Sequence, residues 1–257
     1  MVGSMPFHRT DVGRVEYPQG ISAQERRFCR RIYGAINAPY WALRDEDPPD
    51  IIVACSGGLD STVLAHAFAM AKTIQPGSPA IVKHLAYVNH NLRPKEEIDK
   101  DIAHVMALGD KLNYKSTDIV DVNVPEGNVQ AEAREARYDS LVKLALAWNS
   151  DTVLLAHHAN DVAETKLWQF LTGRYVDGIP LIHSRRDTRT LRNVHFQRPL
   201  IEFTREELLD YARIWKLDWV EDSSNASRKY ARNRIRNELI PWIEKEINPG
   251  IVKMLAK

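Results

Sequence analysis

IIVACSGGLDS, residues 51–61, is an apolar strand running straight into a Ser-Gly-Gly turn and a helix start. Ile51 to Cys55 form a short continuous apolar run, suited to a strand buried on both faces. Ser56, Gly57 and Gly58 turn the chain, and Asp60 and Ser61 open a helix whose first turn favours carboxylates and hydroxyls. Paired glycines let backbone N–H groups approach a ligand with no Cβ in the way. A helix N-terminus beyond such a turn is an anion site, with phosphate its usual occupant. The spacing is not that of the Walker loop, because no Gly-Lys-Ser/Thr follows. The competing reading keeps the strand–turn–helix and gives the glycines no role beyond the turn.

Outward from this stretch, strands and helices alternate. Strands are expected at Ile51–Cys55, Ile81–Val88, Asp118–Val122 and Thr152–Ala156. Helices are expected at Ser61–Ile74, Glu96–Leu112, Val129–Trp148 and Asp161–Leu171. The alternation predicts an α/β fold, a parallel sheet with helices on both faces, followed by a small helical segment. In such sheets ligands bind beyond the carboxyl ends of strands. Ser56–Ser61, Asn89–Arg93 and His157–Asp161 all fall there. Ahead of the sheet, Ser22-Ala-Gln-Glu25 fits a capping box leading into a helix over Ala23–Ile36. Residues 45–50, with two prolines, read as a linker. From Gly173 the pattern changes to loops, arginines and helices at Arg205–Trp215 and Asn233–Ile247. The expected division is a helical preface over 1–50, a nucleotide-binding domain over 51–180 and an arginine-rich helical segment for RNA contact over 181–257.

At 257 residues the chain is long enough to bury a sizeable core. An apolar fraction of 44% and a charged fraction of 27% are ordinary for a soluble globular protein. The net charge of +1 gives no global sign of a nucleic-acid partner, but its distribution does. Ser223–Lys257 holds eight Lys/Arg against three Glu, and His183–Arg198 holds five Arg against one Asp. A solvated face explains such runs equally well. Cys29 and Cys55 are too few and too far apart for a disulfide framework or a CxxC site. Cys55 reads as a packed thiol in a reducing compartment. No apolar stretch approaches ~18 residues and no signal-peptide pattern is present, so no membrane role is expected.

The second informative motif is His157-His158-Ala-Asn-Asp161-Val-Ala-Glu164-Thr165. With a helix starting near Asn160, Asp161 and Glu164 share a face pointing at the strand ends. Two carboxylates there suit a Mg²⁺ ion, acid–base work or an ammonium group. Acids favoured at a helix N-terminus account for Asp161 but leave His157-His158 unexplained. Zinc is not expected, since no cysteine or third histidine is placed to close a site. Arg93, at the second strand's end, offers charge to phosphates. On the helix expected at Val129–Trp148, Arg134 and Arg137 are i, i+3 neighbours, and Glu132 and Glu135 compete as their partners. Arg198-Pro-Leu leads to Thr204-Arg205-Glu-Glu, which caps a helix. Farther on come Trp219, Asp222-Ser-Ser-Asn225 and Tyr230-Ala-Arg232-Asn-Arg-Ile-Arg236, with Arg232 and Arg236 four apart on one helix side. That is a footprint for RNA phosphates, with Tyr230 and Trp219 as stacking partners, although Trp219 suits the core equally well.

Six motifs now stand in order: SGGLDS at 56–61, VNHNLR at 88–93, AREARY at 133–138, AHHANDVAET at 156–165, RPLIEFTREEL at 198–208, and EDSSN with YARNRIRNELIP across 221–241. Together they resemble the tRNA(Ile)-lysidine synthetase family of PP-loop ATP pyrophosphatases, from about Ile51 to Pro249. The resemblance implies a Rossmann-like PP-loop fold and a cytoplasmic ligase using ATP and Mg²⁺. ATP adenylates oxygen 2 of the wobble cytidine in an isoleucine tRNA with a CAU anticodon. The lysine ε-amine then attacks carbon 2 and displaces AMP. It also implies roles for residues. Ser56, Gly57, Gly58, Leu59, Asp60, Ser61 and Arg93 bind ATP, with Asp60 near Mg²⁺. Asp161, Glu164 and His157 bind lysine, and Asp60, Asp161 and Glu164 are the catalytic set. Arg137, Arg198, Arg205, Arg232 and Arg236 face tRNA. Asn160 departs from the family, which usually has aspartate there. Many members continue into C-terminal domains that grip tRNA, whereas this sequence ends at Lys257, and residues 1–50 match none of the motifs.

Two other classes compete. One is another PP-loop nucleotidyl-activating enzyme, either a tRNA thiolase or an amide-forming synthetase. The thiolase would need paired cysteines, and an ammonia-using synthetase would need a glutaminase domain. The other is a non-catalytic ATP- or RNA-binding module, which the intact SGGLDS with Asp161 and Glu164 argues against.

Overall fold

Strand β1 (Ile51–Ala54) lies inside a six-stranded sheet, and its residues are almost entirely buried. It pairs in parallel with β2 (Lys83–Asn89) on one side and β4 (Thr152–Leu154) on the other. Strand β3 (Ser116–Asp121) extends the sheet beyond β2, and β6 (Asn193–Gln197) extends it beyond β4, both parallel. Only the edge strand β5 (Ile182–Arg186) runs antiparallel, giving the order β3-β2-β1-β4-β6-β5. The computed structural model describes residues 17–37, 50–71, 82–122, 129–221 and 231–257. Most of the expected linker (45–49), the Asp222–Asn225 motif and Tyr230 lie outside the described residues.

Both faces are covered, as the buried-strand pattern of β1 requires. Ile51 and Val53 face a large core containing α1 (Ala23–Asn37), α2 (Leu59–Ala71), α3 (Lys95–Lys111) and α6 (Arg205–Trp215). Ile52 faces the other way, into a core built on Tyr138, Leu141, Val142 and Ala145 of α4 (Val129–Ala147). Helix α5 (Ala159–Leu171) follows β4 and packs on the C-terminal helices α7 (Ala231–Arg234) and α9 (Ile251–Leu255), and α8 (Ile240–Glu246) packs on α9 in turn. A π-helical turn, Ile235–Leu239, joins α7 to α8. The contact is a separate small cluster of Ala159, Ala163, Ile235, Ile240 and Val252.

Helices α1 to α6 stand where periodicity placed them, with ends shifted by two residues at most, save that the expected end of α2 at Ile74 lies outside the described residues. The Ser22 capping box is present: Glu25 N–H donates to Ser22 Oγ at 3.2 Å and Ser22 N–H to Glu25 Oε2 at 2.7 Å. Its helix belongs to the core, because Cys29, Ile32, Tyr33 and Ile36 recur on one buried face. The stretch after Gly173 corrects an expectation. It was read as loops and helices, yet residues 182–197 form the β5–β6 hairpin that completes the sheet. Trp219 packs against the main core.

A buried polar chain ties three helices together. His66 Nδ1 of α2 lies 2.9 Å from the Tyr211 hydroxyl of α6, which donates to the Tyr33 hydroxyl of α1 at 3.2 Å. Burial, with Lys111 and Lys83 adding to it, pushes the His66 pKa down to about 3. The folded protein therefore holds His66 neutral, while the unfolded chain takes up a proton below about 6.5. The stability this supplies is complete above pH 6.5 and is lost as pH falls toward 3, by at most ~1.4 kcal/mol per pH unit. Urea unfolding of wild type and His66→Gln should show a gap that narrows between pH 7 and 4.5; a constant gap would refute this.

Candidate active site

Four chain segments meet at the carboxyl ends of β1, β2, β4 and β6. The first is the turn after β1. Ser61 Oγ knots it together, accepting the Ser56 N–H at 3.1 Å, lying 3.2 Å from Ser56 Oγ and donating to Gly58 O at 3.0 Å. Gly57 adopts φ +83°, a left-handed conformation that disfavours any side chain. Its carbonyl accepts the Val220 N–H at 2.9 Å and the Thr62 hydroxyl at 3.3 Å, so the loop is held from behind. Leu59 is buried in the core and can serve a ligand only through its backbone. The first N–H groups of α2 have no intrahelical acceptor, as at every helix start, and form an anion cradle.

The second segment is the start of α5, set beside that loop because β4 pairs with β1. His158 caps the helix, and its N–H donates to Asp161 Oδ2 at 2.9 Å. Its ring Nε2 lies 3.4 Å from Asp60 Oδ2 and 3.6 Å from Asp161 Oδ2, bridging the turn after β1 to the acidic start of α5. Burial opposes a charge on His158, but Asp161 and Asp60 outweigh it and raise its pKa. Asp60 responds in kind: burial pushes its carboxyl up, yet the His158 contact wins and lowers it. Asp60 Oδ1 is buried with no hydrogen-bond partner.

Glu164 lies deeper than Asp161, with side chains 4% and 19% exposed. Both carboxylates meet Arg236. Its Nε donates to Glu164 Oε1 at 2.6 Å, and its Nη2 to Glu164 Oε2 at 2.9 Å and Asp161 Oδ1 at 3.3 Å. Burial pushes the Glu164 carboxyl up, with Arg236 pulling against it. Burial works against the Arg236 charge as well, but Glu164 and Asp161 prevail and raise it. Arg232 also docks on α5, donating to Thr165 Oγ1.

The remaining arginines divide by burial. Arg198, directly after β6, is 1% exposed. It donates to Tyr138 Oη at 3.0 Å, Pro180 O at 2.8 Å and His157 Nδ1 at 3.2 Å. Burial and the charges of Arg137, Arg198 and Arg134 push the His157 pKa well down, leaving a neutral ring that accepts at Nδ1. Arg137 is half-buried on α4, over the Tyr138 ring. Arg93 is ion-paired with the buried Asp101 of α3. Arg205 is exposed at the start of α6, and its N–H donates to Asn160 Oδ1 at 2.9 Å. The Asn160 side-chain carbonyl thus satisfies the first N–H of α6, whose cap is Thr204.

The structure brings Asp60, Asp161 and Glu164 together; the sequence singled out His157 with them, whereas the ring touching Asp60 and Asp161 is His158. The available signal was the helix-capping position three residues before Asp161. Tyr138 and Asp101, which hold Arg198 and Arg93, were not picked out as site residues. Among the described residues no cluster of three or more His, Cys, Asp or Glu forms a metal cage. Asp60, with its unpartnered Oδ1, fits Mg²⁺ as a single protein carboxylate beside phosphates, the usual arrangement for that ion.

A family model described as the PP-loop domain matches residues 28–243. The curated tRNA(Ile)-lysidine synthase of Wolbachia sp. subsp. Brugia malayi (strain TRS) is 37% identical over 195 residues, covering 74% of this chain and 42% of its own length. That of Burkholderia mallei is 34% identical over 231 residues, covering 89% of this chain and 45% of its own. The chain therefore spans less than half the length of these relatives. Among solved structures, the U34-tRNA thiolase NcsA of Methanococcus maripaludis shares the fold, with a TM-score of 0.69 at 16% identity over 90% of this chain and 78% of that one.

Burial separates arginines that the sequence groups together. Arg198→Ala strands the Pro180 carbonyl and His157 Nδ1, leaves the Tyr138 hydroxyl with Arg134 as its remaining donor, and should cost on the order of 3 kcal/mol. Arg205→Ala at an exposed position should stay within about 0.5 kcal/mol. Chemical unfolding of both variants measures the contrast, and equal losses would contradict it.

Proposed function

Because the chain belongs to the PP-loop domain family, we propose that it is an ATP-dependent carbon–nitrogen ligase of the tRNA(Ile)-lysidine synthetase type. One observation carries this reading: a pair of carboxylates built to hold a cation, Asp161 and Glu164, is joined through His158 to Asp60 of the phosphate loop. An anion cradle and a cation site share one cleft, as a reaction between a nucleotide and an amine requires. The similarity to curated tRNA(Ile)-lysidine synthases supports lysine as the amine and an isoleucine tRNA as the acceptor, and the CAU anticodon is part of the proposal.

In this mechanism the Ser56–Ser61 backbone holds the ATP phosphates, and Arg93 adds charge at the cleft's rim. Cytidine oxygen 2 attacks the α-phosphorus, the O–P bond forms and pyrophosphate leaves; N–H donors at the start of α2 stabilise the departing charge. A Mg²⁺ ion bound through Asp60 and phosphates would neutralise charge there. Asp161 and Glu164 orient the lysine ε-ammonium and take its proton. The freed amine bonds to carbon 2, and the carbon–oxygen bond breaks, releasing AMP. The cytosine must be unstacked, which is easiest in an anticodon loop. Arg205, exposed at the start of α6, is a guanidinium suited to RNA phosphate, and the half-buried Arg137 of α4 adds charge. Arg198 acts from within, fixing His157 and Tyr138. Such a substrate places the protein in the cytoplasm. Among the described residues no helix is long and apolar enough to cross a membrane. A thiolase reading has less support, because Cys29 and Cys55 are both buried and burial pushes each thiol up to about 11.

The test is product analysis with tRNA, ATP and each amino acid in turn. AMP and pyrophosphate should form with lysine, and ADP as the main product would refute the mechanism. Asp60→Ala should slow turnover by at least ~100-fold. Asp161→Asn and Glu164→Gln should leave tRNA adenylation intact while raising the lysine KM by about ten- to a hundredfold. Loss of adenylation in both, rescued by Mg²⁺, would move the pair to a metal role. Gly58→Ala is the cleaner loop probe. An added Cβ there comes no closer than 3.7 Å to Ser56 Oγ, so folding should survive while ATP turnover fails. Gly57→Ala adds left-handed strain of roughly 1–2 kcal/mol.

A further inference from the structure

The Asp161–Glu164 pair already holds a cation, and that cation is the chain's own Arg236. A planar guanidinium gripping one carboxylate through Nε and Nη2 and touching a second is the strongest geometry such a pair offers. Any amine reaching these carboxylates must meet the same oxygens. The approach is also from the open side, since Arg236 is 34% exposed while Glu164 beneath it is 4% exposed. We propose that Arg236 is a resident plug of the amine site: lysine enters only after the guanidinium leaves, and phosphates of bound RNA draw it out. This rests on the reading of Asp161 and Glu164 as the lysine site given above.

The element carrying Arg236 is suited to such movement. Arg236 lies in the π-helical turn Ile235–Leu239, a geometry that recurs at functional sites. The helices around it are anchored on α5 through a small apolar cluster separate from both sheet cores. Elements with few buried apolar contacts open at low free-energy cost. The same helices carry Arg232 and Arg234, so a phosphate backbone arriving there offers Arg236 an alternative anion. The arrangement sets an order, RNA before amine. It would keep free lysine from occupying a site that holds no activated cytidine.

Coupling makes the idea measurable. If only a minor fraction of the RNA-free protein has Arg236 out, its apparent lysine affinity falls by that fraction. By linkage, lysine must tighten RNA binding by the same factor that RNA tightens lysine binding. The experiment measures L-lysine binding by calorimetry to the full chain, with and without an isoleucine tRNA transcript bearing CAU. Wild type should bind lysine about tenfold or more tighter with the transcript. Arg236→Gln, which removes the charge and keeps a hydrogen-bond donor for Glu164, should bind lysine about tenfold tighter than wild type without RNA and gain little from adding it. Arg236→Lys, a cation without the fork, should fall between. If wild type binds lysine with RNA but Arg236→Gln binds it no better without RNA, the plug is overturned and the amine site stands. If wild type binds no lysine even with RNA, the amine site and the plug both fail. Should the variants not fold, wild-type reciprocity decides: equal tightening in both directions supports the plug, and none overturns it.

Discussion

The pairing of β1 with β4 is the constraint on which the site depends. Ile51 lies opposite Thr152 and Val53 opposite Leu154, so both strands end at the same level and their following segments emerge side by side. One segment becomes the Ser56–Ser61 loop and the other becomes His158 and the first turn of α5. Between two parallel strands whose connections depart in opposite directions a crevice is unavoidable. A one-residue slip would reverse every side chain of β4, moving Val153 and Leu154 to the wrong cores and parting Asp60 from His158.

Within that crevice charge is balanced by contact. Asp60, His158, Asp161, Arg236 and Glu164 form one chain in which acidic and basic side chains alternate, each close to the next. Buried charges are tolerated only when paired. Beside it, around Tyr138, lies a cluster of the other kind, in which Arg198 is satisfied by a hydroxyl, a carbonyl and a neutral imidazole. The cleft therefore has an acidic wall on α5 and a basic wall on α4 and the β6 end, a polarity that would orient a substrate carrying both signs.

Much of this was legible in the sequence, for physical reasons. Helices with a buried stripe announce themselves by period, and α1, with Cys29, Ile32, Tyr33 and Ile36, is a clear case. The loop was legible because a strand, two glycines and an acidic helix start are all local. The β5–β6 hairpin was not, because β5 is exposed almost throughout and shows no alternation, leaving only Val194 and Phe196 of β6 as inward markers. The grip of Arg236 on Glu164 spans 72 residues of chain, and two arginines four apart read as an outward stripe. Arg198 misled for the same reason, since a guanidinium in sequence looks solvent-bound until its buried acceptors are known. His157 and His158 are neighbours whose sides are set by the strand's exit and the cap, below the reach of composition.

The hairpin that escaped the sequence has a consequence for assembly in solution. A sheet edge shows unpaired backbone groups that invite a further strand from any chain passing by. Here the outer edge is β5, whose Arg185 and Arg186 flank those groups with charge, Arg185 being held by Glu135 and Asp139 of α4. Behind it, β6 shields the short, wholly buried β4, which as a terminal strand would present uncharged apolar residues to solvent. The arginine-bearing ribbon thus acts as a selvedge, finishing the sheet with a border that other strands find costly to join.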